Sequence, residues 1–252
     1  MKKLLIGILA LAVMGSSCDF SEVTSEVTDS VPRLYNKCKK GVVYVNTLKM
    51  TETGLIAGLG SGFVYKVTQE DKIQIITAAH VVFQKDIISI TFYNGSIFNC
   101  KIINIDEGRD LALLELTTKA DTNSPDPEYI VLALANLSKV KIGEKVILIG
   151  HPLGLSWSIT TGVISAIRKN LKGPGFIVFN AIQTDTDIIG GNSGGPLLNT
   201  KGEVLGIVSF GSSAPRGGGY LGFCISCYDI DRFVNNLPGQ VNPNIKYISY
   251  GR

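Results

Sequence analysis

The sequence predicts an all-β protein of two six-stranded antiparallel β-barrels with one short helix near the C-terminus. Three observations point there. From Lys40 onwards, short runs rich in Val, Ile, Tyr and Phe are separated by Gly, Asn, Asp or Lys, the pattern of strands joined by tight turns. The 28 glycines supply many such turns, and few stretches carry a helical stripe. A polar, proline-containing segment, KADTNSPDPE (119–128), divides the runs into two halves of similar size. A single large sandwich would fit the same runs.

In chain order, MKKLLIGILALAVMGSSC places two lysines before an apolar run from Leu4 to Met14, then small residues ending at Cys18. That is the layout of an export signal (residues 1–17), too short for a comfortable membrane span. Small residues before a cysteine resemble the lipobox of bacterial lipoproteins, which implies a lipid on Cys18 and a membrane anchor. Gly15 departs from the aliphatic residue usual at that position. Residues 18–35 read as a flexible tether, because DFSEVTSEVTDSV is polar, repeats SEVT and shows no helical stripe.

The domain is expected over 36–240. Its first half holds GVVYVNT (41–47), SGFVYKVT (61–68), KIQIITAA (72–79), DIISITFYN (86–94), IFNCKIINI (97–105) and LALLELT (111–117). Its second half holds YIVLALA, EKVILIG, WSITTGVISAI, GFIVFNAI, EVLGIVSF and YLGFCIS. Lys201-Gly202 makes a hairpin turn between PLLNT and EVLGIV. DIDRFVNNL (229–237) reads as a helix with Ile230, Phe233 and Leu237 on one face, ended by Pro238. Residues 241–252 are expected to be a short tail, with no room for a C-terminal binding domain.

Composition narrows the function classes. The net charge of +3 falls to +1 without Lys2 and Lys3, which gives no electrostatic basis for nucleic-acid binding. Cys38, Cys100, Cys224 and Cys227 could form disulfides in an exported protein, with three pairings open. The lone CxxC, Cys224 to Cys227, lacks a second pair or a nearby histidine for a metal site. It also sits in a strand-like context rather than opening a helix, as a redox motif would. Neither a metal nor a cofactor is expected.

GGNSGGPLLN (190–199) sets Ser193 among four glycines. A serine hydroxyl needs a base to take its proton and a group that orients that base. The chain has two histidines, His80 and His151, and both precede Ser193. Residues 191–195 fit the G-x-S-x-G elbow of α/β-hydrolases, but that fold needs its histidine after the serine and a helix after the motif. Neither follows. Two orders survive: His80–Asp110–Ser193 and Asp110–His151–Ser193. Context favours the first. His80 ends the apolar run ITAAHVV, and Asp110 opens DLALLEL, whereas His151 lies in the turn GHPLG and is expected to be a surface or turn residue.

TAAH, DLALL and GNSGGP resemble the three triad motifs of trypsin-like serine proteases with the chymotrypsin fold. GSGF (60–63), IGHPLGL (149–155), TTGVISAI (160–167) and QTD (183–185) resemble the bacterial HtrA/Deg branch, over residues 40 to 237. Unlike many members of that branch, the chain is expected to lack a PDZ domain. The resemblance implies a serine endopeptidase acting on protein or peptide substrates in the cell envelope. His80 would be general base, Asp110 its orienting acid and Ser193 the nucleophile, with Gly191, Asn192 and Ser193 forming the oxyanion hole. An inactive binding or chaperone-like module on the same fold is the alternative.

The same resemblance implies a substrate pocket. Asp187, six residues before the serine, would lie at its base, with Ser209, Phe210 and Gly211 as one wall and Gly222 opposite. A buried carboxylate in an open slot would suit Arg or Lys before the scissile bond; an aliphatic pocket, with Asp185 or Asp187 in a structural hydrogen bond, is the other option. Trypsins carry Asp directly before the serine, to pair with a newly cut N-terminus. Asn192 stands there and cannot form that ion pair, so activity without zymogen processing is expected.

Overall fold

The computed structural model describes residues 30–173, 179–213 and 220–235. The export leader, Cys18, most of the tether, Leu237 and the tail lie outside the described residues.

The first barrel closes in the order β1 (Val42–Thr51), β2 (Gly54–Val67), β3 (Ile73–Thr77), β6 (Leu111–Lys119), β5 (Ile97–Asp106) and β4 (Ile87–Thr91). The second closes in the order β10 (Pro196–Asn199), β11 (Val204–Ser213), β12 (Tyr220–Ser226), β9 (Phe179–Thr184), β8 (Ser158–Leu171) and β7 (Lys145–Gly150). Neighbouring strands pair antiparallel throughout. The two-barrel expectation holds, and the single sandwich falls.

Side-chain alternation explains how the two barrels become one unit. Ile75, Ala112 and Leu114 fill the first barrel, while Ile76, Leu111 and Leu113 on the same strands face the second. In the second barrel Val146 and Leu148 point inward, while Ile147 and Ile149 face back. These strands are buried on both faces, which is why they read as unbroken apolar runs rather than alternating ones.

Three local features differ from the sequence reading. YIVLALA is not a barrel strand. Leu132 N–H donates to Val64 O at 2.9 Å, and Ala135 N–H donates to Val204 O at 2.8 Å, so the segment ties one barrel to the other. Of its side chains only Leu132 is buried, so its apolar run does not mark a strand; PLLN supplies the sixth strand instead. Helix α1 (Ser30–Cys38) starts inside the expected tether and buries Leu34 and Cys38 in the inter-barrel core. After the one-turn helix α2 (Ala79–Val82), helix α3 (Cys227–Asn235) begins two residues earlier than its apolar stripe suggested, burying Ile230, Phe233 and Val234. Cys38, Cys100, Cys224 and Cys227 are all free thiols, so none of the three disulfide pairings forms.

Candidate active site

The junction between the barrels gathers side chains from both. His80 sits in α2, directly after β3. Asp110 occupies the turn before β6 with φ 58°, a left-handed conformation that Asp tolerates better than most residues. Ala79 N–H donates to Asp110 O at 3.1 Å, docking the helix on that turn. The Asp110 carboxylate is fully buried and saturated with donors. His80 Nδ1 lies 2.9 Å from both of its oxygens, and the His80 backbone N–H donates to Oδ1 at 2.9 Å. From the second barrel, Ser209 Oγ donates to Oδ2 at 2.6 Å. Ser209 thus supports the acid, a contact across 99 residues that the sequence did not reveal.

Ser193 is half-buried in the loop between β9 and β10. Its Oγ makes no hydrogen bond among the described residues. Ser61 clamps this loop to the first barrel: its N–H donates to Ser193 O at 2.8 Å and its Oγ donates to Gly191 O at 2.7 Å. Thr77 Oγ1 donates to Ser61 O at 2.7 Å. GSGF drew attention to this strand but not to the role of its serine.

Two glycines fix the loop's path. Gly191 has φ +100°, and a Cβ there would stand 2.3 Å from His151 O; Gly194 has φ +82°, and a Cβ there would stand 2.3 Å from Ser61 O. No L side chain fits either position. Asn192, Gly194 and Gly195 each commit their N–H to a carbonyl, of Ile189, Val208 and Asn192 respectively. Among the described residues, the N–H groups of Gly191 and Ser193 donate to no acceptor. Asn192 therefore offers no backbone donor to a substrate oxygen. Its buried side chain packs on Gly150 and lies within 3.5 Å of Asp187 O, so it braces the loop.

The pocket residues are placed differently from expectation. Asp187 is exposed, so the buried carboxylate on which the Arg/Lys argument depended is absent. Asp185, also exposed, accepts Val163 N–H at 2.7 Å in a structural hydrogen bond. Gly211 and Gly222 do face each other across β11 and β12. The space beside Gly222 holds buried Ile188, whose Cδ1 would lie 2.4 Å from a Cβ at Gly222. Phe210 stacks on Phe223 at 4.9 Å.

Of the two readings for His151, surface or turn residue, the turn holds, and the side chain is buried. It stacks on Tyr44 at 4.8 Å and meets Trp157 edge-on at 4.8 Å. Its N–H donates to Ser61 Oγ at 3.1 Å, while its Nε2 is buried without a partner. Desolvation lowers its pKa to about 4, so it is a neutral packing group behind the Ser193 loop.

Residues 60–207 match the trypsin-like peptidase domain family, a span that includes His80, Asp110 and Ser193. The serine protease Do-like HtrB of Bacillus subtilis (strain 168) is 38% identical over 182 residues, 70% of this chain and 38% of that protein. The periplasmic pH-dependent serine endoprotease DegQ of Escherichia coli (strain K12) is 36% identical over 172 residues, 67% of this chain and 34% of that protein. The chain thus spans well under half the length of both relatives. An HtrA-type protease, AlgW, solved with a tripeptide, shares the fold with a TM-score of 0.67 at 24% identity, over 81% of this chain and 62% of that one.

Proposed function

The chain belongs to the trypsin-like peptidase family, and on that premise we propose that it is a serine endopeptidase using His80, Asp110 and Ser193. The observation that carries this reading is the buried Asp110 carboxylate, held by Ser209 and facing His80 Nδ1 at 2.9 Å. Nδ1–H donating to Asp110 leaves Nε2 as the proton acceptor for Ser193 Oγ, a hydrogen bond that forms when substrate binds. Ser193 Oγ then attacks the scissile carbonyl, and Asp110 stabilises the imidazolium that forms. The uncommitted N–H groups of Gly191 and Ser193 receive the oxyanion, each worth roughly 10²–10³ in kcat. His80 returns the proton to the leaving amine, and water activated the same way releases the acyl-enzyme.

Before the scissile bond, the filled space at Gly222 and the exposure of Asp187 favour a small aliphatic residue over Arg or Lys. Peptide anilides ending in Val and Arg, compared side by side, test this; faster cleavage after Arg would reverse it. Asn192 braces the loop by packing on Gly150 and reaching Asp187 O, which supports activity without processing. Export to the cell envelope and a lipid anchor at Cys18 rest on the leader-like residues 1–17; palmitate incorporation lost in Cys18→Ala tests the anchor. For the activity itself, a fluorophosphonate should label Ser193 and fail on Ser193→Ala and His80→Ala. A folded chain that resists the probe would be a binding module instead.

A further inference from the structure

A groove of about 690 Å³ on the second barrel carries side chains that the proposed reaction does not use. It runs between residues 134–138, the end of β8 and helix α3. Leu134 and Leu137 line it from the first, Ile167 from the second, and Cys227 and Tyr228 from the third. Leu134, Leu137 and Ile167 pack on the buried cores yet stay only partly covered, and Tyr228 is 46% exposed. Exposed Lys169 and Asp231 also border the groove.

Unpaired backbone lies along it. Ala135 N–H donates to Val204 O and Val204 N–H donates to Ala133 O, both at 2.8 Å, so Leu134 forms a parallel bridge to β11. Successive peptide groups of an extended segment point to opposite sides, so Leu134 N–H and O face away from β11. Among the described residues they have no backbone partner, and neither does Asn136 N–H. Such an edge accepts an added strand.

Helix α3 delivers the chain to this place. Tyr228, Asp231 and Asn235 recur at helical spacing, and Asn235 Nδ2 donates to Asp231 Oδ1 at 2.9 Å. The next residues, NLPGQVNPNIKYISYGR (236–252), lie outside the described residues. In that sequence Pro238-Gly239 is a reversal signal, and Ile245, Tyr247, Ile248 and Tyr250 crowd the stretch 245–250. Alternation along an extended segment puts Ile245 and Tyr247 on one face and Ile248 and Tyr250 on the other. Both faces need cover, which a groove between a barrel and a helix provides. The segment carries Lys246 and Arg252 but no acid, and Asp231 offers the opposite charge. Reach is ample. From Asn235 back to Tyr228 the helix runs about 10 Å, which roughly three extended residues span.

We propose that residues 241–250 turn back from α3 and occupy this groove as an extended segment, pairing with Leu134 and covering Leu137, Ile167 and Tyr228. Nothing in this depends on Ser193 being a nucleophile.

The test uses the full chain with p-benzoylphenylalanine in place of Tyr247. Irradiation should crosslink it, within one chain, to residues 134–138 or 227–231, located by mass spectrometry. Crosslinks between two chains would mean that a second copy covers the groove, and crosslinks elsewhere or none that the segment does not dock there; each overturns the proposal. Independently, amide exchange at Leu134 and Asn136 should be at least tenfold slower in the wild type than in Ile245→Asp and Tyr247→Asp, which set a charge against the apolar lining. Equal exchange in the wild type and both variants overturns the pairing. Should a variant lose its far-UV circular dichroism, the crosslink decides alone.

Discussion

At the residue scale, the proposed site divides into groups that would meet substrate and groups that hold them. Ser209 and Ser61 are of the second kind. Each satisfies a buried partner that would otherwise lose a hydrogen bond worth about 1–3 kcal/mol. Ser61→Ala leaves His151 N–H buried without its acceptor and frees Gly191 O. We expect kcat to fall at least tenfold with KM little changed, read by steady-state kinetics on a peptide anilide. His151 gives a pH prediction. Its folded pKa, about 4, lies below the unfolded value near 6.5, so the unfolded chain binds the extra proton between those limits. Stability contributed by the neutral ring is complete above about pH 6.5 and is lost as pH falls towards 4, by on the order of 3 kcal/mol. Urea unfolding of the wild type against His151→Phe across pH 4–7 reads it; a stability difference that does not change with pH would refute it. His151 was legible as a turn residue because GHPLG encodes its own backbone. Its burial was not, because Tyr44 covers it from the other barrel.

At the element scale, the loop between β9 and β10 works as a fixed turn. Gly191→Ala drives a Cβ to within 2.3 Å of His151 O, which the loop can relieve only by moving the two free N–H groups. The expected result is a loss of at least 10² in fluorophosphonate labelling rate with far-UV circular dichroism unchanged. Across the cleft, Ile188→Ala removes the side chain packed beside Gly222. Preference before the scissile bond should then shift from Val towards Leu or Phe, measured with a matched anilide series; an unchanged order would mean Ile188 does not bound the pocket. Strand periodicity made most elements readable, and it failed where burial came from elsewhere. YIVLALA looks like a strand because it is apolar throughout, yet only Leu132 is buried and Val131 is exposed. The start of α1 was missed because Leu34 and Cys38 gain their burial from the folded core, not from neighbours in sequence.

At the scale of the whole molecule, neither barrel holds a complete site: His80 and Asp110 come from the first, Ser193 and Ser209 from the second. The shared apolar layer, with Phe63, Ile76, Leu111, Ile147 and Ile149 fully or almost fully buried, should make the two barrels unfold as one unit. Labelling and near-UV circular dichroism should therefore be lost at the same urea concentration. Leu132, packed on Gly41 between the barrels, is the position to probe; Leu132→Ala should cost about 2–5 kcal/mol and lower both midpoints together. Separate midpoints would show that the barrels fold independently. The sequence by itself determined the strand pattern, the division into halves, and the motifs around His80, Asp110 and Ser193, because each depends on residues close along the chain. Only the tertiary structure decided that Asp187 is exposed, that Ile188 fills the space beside Gly222, that His151 is buried, and that Ser61 and Ser209 brace the site. Those outcomes depend on partners brought together by barrel closure, 130 residues apart for Ser61 and Gly191, and no local pattern encodes burial or a hydrogen bond over that separation.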